Sequence, residues 1–278
     1  MPPAPLITLI DPYGTINRAL QTMLDVIVPG METAAQTLVL ILIGIMMAHF
    51  FYRMMFGDQH ITMYAALQRL AAFEAAWVLV RYYRTVPPGF SYSLLGTIDG
   101  TMRDWMVLLG RGTVEDMWKN CDLLVGRFVA PTGGIWELLP VLYYFTFIAL
   151  VSIVKALVIY TTAYGFIGQA LTRIWGAPFL AFAIVPKLNQ LSWNWFWTYL
   201  NYSMLPVMGM AYIFVMTRYV GQAVSVIPPG VTEAGYYTYL GEAMMVLITF
   251  ILCVPLVRQV TAALTGGTGA APGMNPFR

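Results

Sequence analysis

The sequence predicts an all-α, polytopic membrane protein, and three observations carry that prediction. Of 278 residues, 59% are hydrophobic and 10% are charged, whereas a soluble domain carries roughly a quarter charged residues. The apolar residues gather into runs near the length of about 20 that crosses the hydrocarbon core of a bilayer. Between these runs, apolar residues recur at helical spacing. About five transmembrane helices are expected, with a re-entrant or interrupted segment, an amphipathic N-terminal helix and a helical loop hairpin.

The N-terminal segment, 1–36, places Ile16, Leu20, Leu24 and Ile27 at helical spacing, with Arg18 and Asp25 off that stripe. This predicts an amphipathic helix ended by Pro29-Gly30. Residues 1–10 carry prolines and no basic residue, so the basic start of a cleavable signal is not evident. The first two spans occupy 37–84. One is "TLVLILIGIMMAHFFYRMM", Thr37 to Met55. The other, about Ile61 to Arg81, holds Gln68, Arg69 and Glu74, and its alanines and Trp77 suit a helix buried among others.

Residues 85–137 form a longer, more polar loop. Leu95, Ile98, Met102, Trp105 and Leu109 make one apolar stripe opposite Asp99, Arg103 and Asp104. Thr113-Val-Glu-Asp116 fits a capping box at the start of a second helix. Met117, Cys121 and Leu124 continue its apolar face, and "APTGG", Ala130 to Gly134, stops it. The loop is therefore expected to be a helical hairpin lying on the membrane or on a partner.

The C-terminal membrane region, 138–264, contains a third span at Leu138 to Tyr160, a fourth at Tyr199 to Val220 and a fifth at about Leu240 to Leu264. Between the third and fourth lies "GAPFLAFAIVPKLNQLSWNWFWTYL", Gly176 to Leu200. Its apolar part, Ala177 to Val185, is too short to cross, which predicts a re-entrant or interfacial piece. The other reading takes Ala163 to Val185 as one interrupted span. Residues 265–278 are expected to be a flexible, Gly-rich tail.

Charge and motif content exclude several functions. The net charge of +2 is too small to argue for nucleic-acid binding, and no polybasic track exists. There is no GxxxxGK[ST], HExxH or GxSxG, and the two histidines, His49 and His60, make no metal spacing. Cys121 and Cys253 lie far apart with no C-x-x-C pattern, so a disulfide is not expected. The reading is of a non-enzyme with no catalytic residue, cofactor or metal. Basic residues set the orientation. A periplasmic N-terminus puts Arg53, Lys155, Arg173, Lys187 and Arg258 near the inner face. The loop then lies outside with Asp99, Asp104, Glu115, Asp116, Asp122 and Glu137.

Polar residues inside the spans are the remaining candidates. Glu74 sits among Ala71, Ala72, Ala75 and Ala76, which would let another helix approach, and Arg81 follows two turns later. Lys155 lies deep in the third span. These three are candidate interface or channel residues; the plainer reading has Arg81 and Lys155 snorkelling and Glu74 in one interhelical hydrogen bond. His49 and Arg53, four residues apart, and Trp193 and Trp197 read as membrane-interface anchors.

Gly176, Pro178, the run "FLAFAIV", Pro186, Trp195 and Leu205-Pro206 resemble the central signature of the TrbL/VirB-six family, the polytopic inner-membrane subunit of type IV secretion systems. The ending "VRQVTAALTGG" and the order of parts over most of the chain resemble that family too. Asn189-Gln190 stands where family members often carry an Arg pair, and Asn194 where they often carry Gly. The resemblance implies a channel or scaffold subunit of a bacterial inner membrane, serving conjugation, substrate translocation and pilus assembly. It further implies a homo-oligomer working with ATPases, a periplasmic scaffold and pilin on DNA or protein cargo. The C-terminus would be cytoplasmic. The alternative is a secondary transporter of a small solute, for which broken helices are typical; the two halves of this chain show no inverted repeat.

Overall fold

The computed structural model describes residues 12–56, 63–110, 113–130, 138–185, 187–231 and 235–266. Among the described residues, seven α-helices follow in order: α1 (Pro12–Phe56), α2 (Met63–Arg81), α3 (Leu94–Gly110), α4 (Thr113–Gly126), α5 (Leu138–Ala181), α6 (Asn189–Val226) and α7 (Tyr236–Leu264). Among the described residues there is no strand, only an isolated bridge between Phe128 and Val231. Among the described residues, four helical stretches are long and apolar enough to cross a membrane: Arg18–Phe56, Leu139–Ile184, Asn189–Val226 and Tyr236–Leu264. The protein is an all-α polytopic membrane protein. The second expected span forms α2 but is not among these four. His60, Pro186, most of the "APTGG" stop and the tail beyond Gly266 lie outside the described residues, as do the side chains of Ile16 and Thr113.

Three helices are much longer than their spans. At 1.5 Å per residue, α1, α5 and α6 run roughly 55–70 Å against a hydrocarbon core of about 30 Å. Pro29-Gly30 does not end a helix, because α1 continues through both to Phe56. Leu24, Val28, Ala35 and Val39 are buried at one helical stripe that passes the proline on both sides. Packing of that stripe offsets the one backbone donor that proline removes. Val28, not Ile27, completes the stripe; Ile27 is exposed.

Pro178 likewise does not open a separate short piece. The third expected span and Ala163–Ala181 are one helix, α5, with Pro178 inside it. The interruption falls later, in a 3-10 turn at Phe182–Ile184 followed by extended Val185. Ala177, Leu180, Ala181 and Ile184 are all buried, so the segment is held by its side chains through the proline.

The chain divides into two compact units. One is drawn from Met1–Thr101 and Phe166–Ser203, the other from Met102–Gly165 and Met204–Arg278. In the first, the α1 stripe packs with Phe73, Ala76 and Val80 of α2, Leu95 of α3, and Ala177, Trp195 and Tyr199. In the second, Met117, Cys121 and Leu124 of α4 are wholly buried against Phe147, Val154, Ile213, Leu247 and Phe250. The apolar face expected for α4 is therefore its packing face. On α3, Trp105 is exposed and Met106 packs against the core instead. Asn120 ties α4 to α6 through Nδ2, which donates to the Thr217 carbonyl at 3.1 Å. A side chain at Gly165 would meet the Pro206 ring, its Cβ 2.5 Å from Cδ, so glycine allows α5 and α6 to close there.

Burial pushes the Cys121 thiol up to about 11. The fold favours the neutral thiol, so this contribution is complete below the ordinary thiol value near 9 and is lost as pH rises through about 11. Cys121 should resist maleimide at neutral pH in the folded protein and react after denaturation, measured by mass shift. Rapid labelling of the folded protein at Cys121 would contradict this packing.

Candidate functional site

The first unit holds a polar cluster inside an otherwise apolar chain. Its centre is Asp99, one turn past the start of α3 on the edge of that helix's apolar stripe. Gln169 and Arg173 stand four residues apart on α5, and Trp195 and Tyr199 four apart on α6, so each pair shares a helix face. Gln169 Nε2 donates to Asp99 Oδ1 at 2.7 Å, and the Tyr199 hydroxyl donates to the same oxygen. Arg173 Nη2 pairs with Oδ2. The Asp99 and Arg173 side chains are 22% and 18% exposed. A carboxylate so enclosed must be satisfied by donors, and here three converge on it.

A second layer surrounds the pair. Trp195 Nε1 donates to the Thr172 carbonyl at 2.7 Å, and the Tyr83 hydroxyl donates to the Arg173 carbonyl at 2.8 Å. The Trp195 ring stacks on Tyr199, with centroids 5.6 Å apart and planes at 12°. Burial holds the Tyr83 hydroxyl well above its ordinary value, with Tyr199 and Glu32 adding and Arg173 opposing; it remains a donor at any physiological pH. Gly176 makes this layer possible. A Cβ there would collide with the Tyr83 hydroxyl and the Trp195 ring. Those two rings reach the Thr172 and Arg173 carbonyls only because nothing projects from the residue one turn on.

Beside the cluster lies a cleft of about 190 Å³ between Arg173 and Asp99 on one side and Gln21, Asp25 and Arg84 on another. Arg84 faces Asp25 at 3.7 Å. Arg173 Nε is buried with no hydrogen-bond partner. The carboxylate is saturated and the guanidinium is paired, so the arrangement fastens α3 to α5 and α6. Among the described residues, no three His, Cys, Asp or Glu side chains gather as a metal site would require.

The structure separates the residues singled out from sequence. Trp195 is 5% exposed, against 57% for Trp193 and 37% for Trp197. Trp195 thus leaves the expected headgroup-level crowd and becomes a core residue, while the other two stay on the surface. Gly176 and Trp195 are brought together; Pro178 lies inside α5, and Pro186 is outside the described residues. Leu205 is buried in the second unit, next to Pro206, whose ring faces Gly165. Glu74 and Arg81 are exposed on α2, and His49 and Arg53 are exposed near the end of α1. Lys155 pairs with Asp122 of α4.

Two ion pairs bear on where the orientation reading set individual charges. That reading set Arg173 and Lys155 near the inner face and Asp99 and Asp122 outside. Each base lies beside its acid, so the members of a pair do not stand on opposite faces. The Asp99, Gln169, Arg173 and Tyr199 cluster itself escaped the sequence reading. Its signal was the polar pair Gln169 and Arg173, one turn apart within an apolar helix.

Removing one member of a buried pair strands the other, at a typical cost of about 3–5 kcal/mol. Asp99→Asn should therefore lower the thermal midpoint in detergent more than Asp99→Leu combined with Arg173→Met. A double variant at least as unstable as the sum of its singles would show that the pair is not the organising contact.

Comparison with protein-family models gives no match to this chain, and comparison with curated protein sequences gives none either.

Proposed function

We propose that this protein is a non-enzymatic channel or scaffold subunit of a type IV secretion system in a bacterial inner membrane. It would support passage of DNA or protein and assembly of a pilus. The observation that carries this reading is the packing of Gly176 against Trp195. These are two separated elements of the TrbL/VirB-six signature, and each explains why the other is needed. Both meet Tyr83, and the adjoining Tyr199 and Arg173 hold Asp99 of the loop helix α3, so the same packing would hold a periplasmic loop on the membrane helices.

The reading also fits the surface. Leu40, Ile41, Ile45 and Met55 of α1 are exposed, an apolar band suited to lipid or to other subunits of a homo-oligomer. The polar cluster has no group poised for chemistry, so energy for transport would come from partner ATPases. The orientation proposed is a periplasmic N-terminus and a cytoplasmic C-terminus. Opposite-side termini require an odd number of crossings. In this reading α2 crosses as well, with Glu74 and Arg81 paired against neighbouring helices in the assembly.

Two experiments test this. Deletion of the gene in its host should abolish cargo transfer and surface pili, and the wild-type copy should restore both. Trp195→Ala should fail to restore transfer, whereas Trp193→Ala should succeed. Intact transfer in the deletion strain would end the secretion reading, and equal behaviour of the two variants would remove the signature from it. For topology, a cysteine replacing Thr113 should react with an impermeant reagent in intact cells while a C-terminal tag stays protected; the opposite pattern reverses the orientation.

A further inference from the structure

Two contacts in the second unit mark a membrane depth. Tyr143 of α5 and Tyr237 of α7 meet ring to ring, with centroids 6.0 Å apart. Farther along the same helices, Arg258 of α7 lies over the Tyr164 ring of α5, 4.3 Å from its centroid. The interval from Tyr143 to Tyr164 equals that from Tyr237 to Arg258, so α5 and α7 run side by side in one direction between these ties. At 1.5 Å per residue each interval is about 32 Å, close to the roughly 30 Å of a hydrocarbon core. Tyrosine settles at the edges of such a core, and arginine reaches out to them. Between the ties, Phe145 and Ile153 of α5 and Met245 and Leu252 of α7 are exposed and apolar, as a lipid-facing surface would be.

The loop helix α4 packs inside this interval. Lys155 is the one charged residue between Tyr143 and Tyr164. It stands about 18 Å from the first tie and about 14 Å from the second along α5. Asp122 of α4 pairs with it at 2.5 Å. Asn120 is fastened to the Thr217 carbonyl of α6. Phe128, just past the end of α4, packs on Phe147 with centroids 5.2 Å apart, one turn inside the first tie. Met117, Cys121 and Leu124 are wholly buried, so a full apolar stripe docks the helix there. With 14 residues it is about 21 Å long, too short to cross.

The other face of α4 is charged. Glu115, Asp116, Lys119 and Asp122 are all exposed. Hydrocarbon cannot solvate such a strip. A second copy presenting the same strip across a symmetry axis would set acid against acid, which opposes association. Water can face all four.

We infer that α4 is a re-entrant membrane helix whose charged face fronts a water-filled path within the bilayer. The placement of α5 and α7 in a membrane is all that this requires; neither the cargo nor the secretion reading enters. The charged loop helix is thereby given a place at membrane depth, held by its apolar stripe and by Lys155.

The test is electron paramagnetic resonance of nitroxide labels on the full chain in phospholipid vesicles, with Cys253→Ala as background and the buried Cys121 kept. Single labels are carried by Glu115→Cys and Lys119→Cys on α4, and by Ile153→Cys and Leu252→Cys on the apolar surface. Power saturation compares collisions with oxygen, which concentrates in hydrocarbon, and with a water-soluble nickel chelate. The Ile153→Cys and Leu252→Cys labels should meet oxygen and little nickel. The two α4 labels should meet several-fold more nickel. Nickel reaching all four positions alike would put this level outside the bilayer and overturn the proposal. Oxygen without nickel at the α4 labels would place lipid on the strip, and shielding from both would place protein on it; either result also overturns the proposal. Should one α4 variant fail to assemble, the other reads the same face.

Discussion

A largely enclosed carboxylate organises the first unit. Asp99 stands on a helix read from sequence as part of a polar loop, yet its oxygens are taken by Gln169, Arg173 and Tyr199. Satisfying one partly buried charge fixes three helices at once: α3 by the acid, α5 by two donors one turn apart, and α6 by a phenol. Much of the surrounding packing follows. Tyr199 must lie flat to aim its hydroxyl, and Trp195 stacks on it to hold that pose. The indole N–H then needs an acceptor, found in the Thr172 carbonyl. A low local dielectric strengthens such a network when complete and penalises it when one member is lost.

Glycine is the second requirement. Helices can approach closely only where side chains are small. Within the first unit Gly168 faces the Tyr202 ring and Gly176 faces Tyr83 and Trp195. Within the second, Gly165 admits the Pro206 ring, and Gly209 lies against the Thr161 backbone with a built Cβ 3.5 Å from its carbonyl oxygen. Each glycine is matched by a ring or by backbone. This pairing of a small residue with a large rigid one makes the α5 and α6 contacts specific in lipid, where apolar burial alone gives little direction.

Much of the architecture was legible because it rests on composition and period. The apolar runs marked the long helices, and the spacing of Met117, Cys121 and Leu124 gave the packing face of α4 correctly. Prolines misled for a physical reason. Pro29 and Pro178 each remove one donor, but buried stripes on both sides hold the helix through them. Tryptophan misled in part: amphipathic rings suit headgroups, and Trp193 and Trp197 do lie on the surface, but Trp195 finds its acceptor inside the fold. The polar cluster was the least legible element. Its members lie on three helices, and Asp99 looked like one of several loop acids. Only their convergence distinguishes it.

The separation of those members in the chain has a consequence for biogenesis. Asp99 and Tyr199 are 100 residues apart, an interval the ribosome covers in roughly 5–20 s at about 5–20 residues per second. For the first 70 residues of that interval the carboxylate has none of its three final donors, and its phenol partner comes last. The emerging α3 must therefore wait at the aqueous interface, and the hairpin of α5 and α6 must be inserted before α3 can dock. Release of the nascent chain soon after α3 would leave a membrane fragment with a charged, unfastened helix, a ready substrate for quality-control proteolysis.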